Sequence, residues 1–71
     1  MKHISYIDRY FDGSLTNGRL TEIKEIRKSK VYGERLAHSP SGWKTFIKVW
    51  NTRLNKMVEI RKDTDLVEVI D

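Results

Sequence analysis

His3 and His38 are the two side chains here whose ordinary pKa lies near neutrality. Neither stands beside a nucleophile, and neither has a partner at a spacing that metal ligands use. The chain has no cysteine, so it holds no thiol nucleophile, no thiolate metal site and no disulfide of its own. No Gly-x-Ser-x-Gly and no His-Glu-x-x-His occurs. His3 reads as a frayed terminal residue, and His38 as a surface residue beside a turn. Asp63 and Asp65 have the spacing of a carboxylate pair for a metal. Aspartate favours turns through its own side-chain hydrogen bonds, so the pair reads as turn chemistry, with Asp63 a candidate cap. Ser29 and Ser41 have no base nearby in sequence. Gly13, Gly18, Gly33 and Gly42 belong to separate turns and do not make one phosphate-cradling loop. The expectation is a protein without catalytic residues, cofactor or metal.

One stretch has the residue types of a binding surface. Trp43–Lys56 interleaves aromatic and basic residues, and strand alternation sorts its first half into two sets. Trp43, Thr45, Ile47 and Val49 read as core. Lys44, Phe46, Lys48 and Trp50 fall on the opposite side, continued by Arg53 and Lys56 in the following loop. Lysines neutralise phosphates, and an exposed aromatic stacks on an unpaired base for ~1–3 kcal/mol. Arg27, Lys28 and Lys30, with Tyr32 following, form a second basic patch in an expected hairpin loop. The competing reading is structural: Phe46 and Trp50 pack under an N-terminal helix, lysine stems lie along apolar surface, and 27–30 is a solvated loop. For a protein partner the anchors would be Tyr32, Arg35, Trp43 and Trp50, residue types enriched at interface hot spots.

The elements that must position these residues are mostly strands. Ile4, Ile7 and Phe11 follow i, i+3, i+7, which predicts a short helix over 4–11, ended by Asp12-Gly13. Asn17-Gly18 is a turn signal. Arg19–Lys30 is ambiguous. Leu20, Ile23 and Ile26 suit a helix, as do early acidic and late basic residues; the thin apolar stripe suits a bent or bulged strand, the reading adopted. The alternative is an α+β fold with residues 20–31 helical. Strands are expected at 31–38, 43–50, 57–61 and 66–70, with a proline turn at 39–42. The fold class is therefore mainly β, a meander of about five strands curling into a barrel or half-barrel, with a short N-terminal helix. Closure would remove exposed edges. Residues 1–71 form a single domain: helix and connector at 1–17, small β-barrel at 18–71.

Gly18-Arg19-Leu20-Thr21-Glu22-Ile23 resembles the opening strand of a Src-homology-type small β-barrel, the group that includes Tudor and KOW modules. Residues 58–70 resemble its ending: a strand, one short helical turn and a closing strand. The resemblance covers roughly 18–70 and implies a binding module for nucleic acid, peptides or other proteins. The glycine of the KOW loop and the Tudor aromatic cage have no clear counterparts here.

The totals bound the rest. Seventy-one residues make one domain, burying about 60% of the surface of the unfolded chain and supplying roughly 3–5 kcal/mol of net stability. No apolar run approaches the ~20 residues that span a bilayer, and the N-terminus lacks signal-peptide character, so the expected location is the cytoplasm, without membrane contact. The net charge of +4 is uneven: zero over 1–18, +3 over 19–38, +5 over 39–62 and −4 over 63–71. A basic body suits a polyanion; a solvated surface with its own acidic strand as counter-charge is the plain alternative. The leading expectation is a nucleic-acid-binding module, DNA or RNA. A protein-interaction module (an inhibitor or adaptor of a larger protein, of phage or mobile-element type) is the runner-up, and a homo-oligomer paired through strand edges is the third.

Overall fold

A computed structural model describes residues 2–70. Met1 and Asp71, the latter one of the charges counted in the acidic tail, lie outside the described residues. The elements are β1 (His3–Thr16), β2 (Arg19–Lys30), β3 (Gly33–Ser39), β4 (Gly42–Asn51), β5 (Lys56–Arg61), α1 (Lys62–Asp65) and β6 (Leu66–Val69). They form two three-stranded antiparallel sheets, ordered β2-β1-β6 and β3-β4-β5.

The main correction concerns the N-terminus, where the expected helix over 4–11 is part of a 14-residue strand. Ile4, Tyr6 and Asp8 are buried on one face of it, with Tyr10 half-buried beyond them. An aspartate at an inward position hid the two-residue period. Ile7 lies on the other face opposite Ile26, which completed a false helical spacing. Asp12-Gly13 marks a bulge rather than a helix exit. The register shifts between Phe11 and Leu15, Gly13 has φ +85°, and the Ser14 amide donates to the Asp12 carboxylate. Asn17 and Gly18 both have positive φ (54° and 75°), the two-residue turn that matches strand twist. Residues 19–30 are a strand, so the helical alternative for 20–31 does not hold; Leu20 and Ile26 lie on its outer face, while Ser29 is buried. His3 is no frayed end: it pairs with Lys30, and its carbonyl accepts from the Ile70 amide at 2.8 Å.

The core is Ile4, Tyr6, Ile47, Val49 and Ile60, with Val31, Val58 and Leu66 packed against it. The sheets join on one side only. The Ser29 hydroxyl accepts from the Trp50 amide at 2.9 Å, and the Tyr32 amide donates to the Lys48 carbonyl at 2.9 Å. On the other side no pairing joins β1 to β5 among the described residues, so the expected curl into a barrel or half-barrel yields no closed barrel and strand edges remain. The strands expected at 57–61 and 66–70 are present as β5 and β6, and the turn between them is the single helical turn α1. Asp63 does not cap that turn: it lies inside α1, whose N-cap position is Arg61 and has no side-chain cap hydrogen bond.

Candidate nucleic-acid interface

Residues directly opposite in an antiparallel pair share a face. On the face of β3-β4-β5 turned away from the core, Phe46 stands between Arg35 and Arg61, and Lys48 between Gly33 and Glu59. Lys44 and Trp50 extend this row along β4. The Arg35 guanidinium lies 4.6 Å from the Phe46 ring centroid and donates to both oxygens of Glu59, at 2.7 and 3.1 Å. This ion pair straps β3 to β5 across the central strand. It holds the Glu59 carboxyl below its ordinary range and raises the Arg35 guanidinium. Asp63 accepts from Lys44 (3.5 Å) and Arg61 (3.3 Å) at one end of the face. Such exposed pairs are screened by solvent and are weak enough to yield to a polyanion.

Tyr32 is exposed, and Lys30 Nζ lies 5.3 Å from its ring centroid. Tyr32, Arg35, Lys48 and Glu59 line one shallow cleft of about 130 Å³. The face thus gathers Arg35, Lys44, Lys48 and Arg61 against Glu59 and Asp63, with Lys30, at the end of β2, on its border beside Tyr32. Of the expected contacts, Lys44 and Lys48 belong here and Lys30 stands at the border. Trp50 is half-buried rather than free, with no helix above it. Lys28 is exposed on the other sheet, opposite Ser5, and Lys56 is exposed at the start of β5, opposite Asn51.

Arg27 and Arg53 are drawn elsewhere, to Asp8. Asp8 is 7% exposed. It accepts from Arg27 Nε at 2.7 Å and from Arg53 Nε and Nη2 at 2.8 and 3.1 Å. Arg53, then Arg27 and Asn51, hold its carboxyl well below the usual carboxylate range, against the opposing effect of burial. The Arg53 guanidinium also stacks on Tyr10, 3.9 Å from the ring centroid. The Tyr10 hydroxyl donates to Glu25, which raises its pKa, and Glu25 in turn accepts from Arg27. This cluster ties β1, β2 and the β4–β5 turn together. It is structural, and it removes two arginines from the candidate contacts.

Trp43, expected in the core, is 68% exposed. It is the second residue of β4, opposite His38, with the two rings edge-on at 5.1 Å. The four residues proposed as protein anchors are therefore split: Tyr32 and Arg35 share the cleft, while Trp43 and Trp50 fall on opposite faces of β4. Asp65 pairs with Arg9 at 3.4 Å. No group of three or more His, Asp or Glu placed to hold a metal occurs among the described residues.

Sequence reasoning missed Asp8 as an anchor and Arg61 as a face residue, and placed Arg35 only in the protein-partner set. The signal for Asp8 was an acid flanked at i±2 by Tyr6 and Tyr10; for Arg61 it was alternation with inward Val58 and Ile60. No helix among the described residues is long and apolar enough to cross a membrane. No family model matches the chain, and neither a curated protein nor a solved structure matches it.

Proposed function

We propose that this protein is a non-catalytic nucleic-acid-binding module that engages single-stranded DNA or RNA through the outer face of β3-β4-β5. The observation that carries the reading is the placement of Arg35, Lys44, Lys48 and Arg61 around Phe46 on one sheet face, with Lys30 and exposed Tyr32 at its border. Tyr32 takes the stacking role first expected of Trp50. The lysines and Arg61 contact phosphates, and Arg35 holds the face flat through Glu59. A half-open small barrel of the Src-homology type, acting in the cytoplasm, is the scaffold this reading implies; the strand, helical turn and closing strand at β5-α1-β6 support it. The test is binding of mixed-sequence oligonucleotides to the parent chain and to Lys48→Glu. The variant should bind all sequences more weakly and show a salt slope lower by about one contact. Undiminished binding by Lys44→Glu/Lys48→Glu sinks the assignment of this face.

A second reading, a protein-interaction module, is favoured by Leu36 and Trp43, both about two-thirds exposed on the core-side face of the β3–β4 hairpin. A single stoichiometric protein partner lost on Trp43→Ala, with Lys-to-Glu changes harmless, would favour it.

A further inference from the structure

The side on which the two sheets fail to join is a groove of about 410 Å³. One wall is β1 at Tyr6–Arg9, whose edge away from β2 is covered by β6 only as far as Tyr6. The other wall is β5 at Val58–Arg61, which pairs with β4 on one side and with no strand on the other among the described residues. Asn51, Arg53, Leu54, Thr64 and Asp65 complete its lining. Two unpaired edges flanking one groove offer main-chain hydrogen bonds to an extended segment, the physical basis of strand addition. The unpaired residues, 7–9 of β1 and 58–61 of β5, match a segment of three or four residues, roughly 10–13 Å long.

We propose that this groove binds an extended segment of another protein as an added strand, apolar at inward positions and acidic at outward ones. An added strand continues the alternation of its neighbours. Its inward side chains would meet Tyr6, Val58 and Ile60, which are buried or half-buried apolar residues. Its outward side chains would meet Arg9 and Arg61. The charge balance favours acid. Asp8 already has Arg27 as well as Arg53, and Glu59 is claimed by Arg35 from outside the groove. Among the described residues Arg9 and Arg61 are each held by one looser pair, with Asp65 at 3.4 Å and with Asp63 at 3.3 Å, which an incoming carboxylate can replace. This groove borders the basic face of β3-β4-β5 and shares Glu59 and Arg61 with it, but the inference does not rest on the nucleic-acid reading.

The test uses the isotope-labelled full chain and two synthetic peptides, one alternating valine with glutamate and one alternating valine with lysine. In the free protein the edge amides of residues 7–9 and 58–61 that lie outside the β1–β2 and β4–β5 ladders should exchange rapidly. The valine–glutamate peptide should shift and protect them, whereas the valine–lysine peptide should not. Arg9→Glu should weaken the valine–glutamate peptide about fivefold, the worth of one exposed pair, and Lys48→Glu should leave it unchanged. Overturning results are no shift at millimolar peptide, equal response to both peptides, or shifts confined to the outer face of β3-β4-β5. Edge amides protected in the free protein in step with its concentration would also overturn it, since a second copy would then fill the groove.

Discussion

Arg53 donates to both carboxylate oxygens of Asp8 across 45 residues of sequence. The bond pair spans the open side of the fold and, with Arg27, holds the long β1–β2 hairpin against the β4–β5 turn. Asp8→Asn keeps the side-chain shape and removes the charge, leaving two guanidiniums without their carboxylate. Denaturant unfolding should show a loss of roughly 2–3 kcal/mol. That is below the ~3–5 of a fully buried pair, because the guanidiniums are partly exposed. A loss under about 0.5 kcal/mol, the range of ordinary surface changes, would show that the cluster does not hold the sheets.

The same cluster, together with the Arg35–Glu59 pair, sets the response to acid. Asp8 is depressed in the folded state by Arg53 and Arg27, and Glu59 by Arg35. A depressed carboxyl stabilises the fold above its unfolded pKa, about 3.9 for Asp and 4.3 for Glu, and that stabilisation is lost as pH falls through the folded value. Stability should therefore be level above about pH 5 and fall steadily below it. Asp8→Asn should flatten that fall, as followed by denaturation midpoints from neutral pH down to the acid limit.

Core and hairpin tip should respond oppositely to truncation. Ile47 is 2% exposed, and Ile47→Ala should cost ~2–5 kcal/mol, most of what so small a domain has. Trp43→Ala should change stability by no more than about 0.5 kcal/mol. Circular dichroism separates the two variants, and loss of the red-shifted, readily quenched component of tryptophan emission identifies Trp43 as the exposed ring.

Much of the second half was legible because its residues obey a two-residue period. Ile47, Val49 and Ile60 are inward as alternation requires, and Pro40 and Gly42 mark the β3–β4 turn, Gly42 through a positive φ that few residues adopt. The first half was opaque because β1 buries an ion where the pattern calls for an apolar residue. Asp8 broke the alternation, and Ile7 and Phe11 on the other face supplied a helical spacing. The candidate face was legible along β4 alone. Its lateral members, Arg35 and Arg61, depend on cross-strand register, and Arg27 and Arg53 were misassigned because their carboxylate is remote in sequence.

The most direct measurement is fluorescence anisotropy of labelled single-stranded DNA and RNA 20-mers titrated with the protein over a series of salt concentrations. With four phosphate contacts from Lys30, Lys44, Lys48 and Arg61, binding should be evident at ~50 mM salt. The logarithm of affinity should fall against log salt with a slope near −3, about −0.7 per contact. No binding of either nucleic acid at ~50 mM salt, or binding that salt leaves unchanged, would contradict the proposed function.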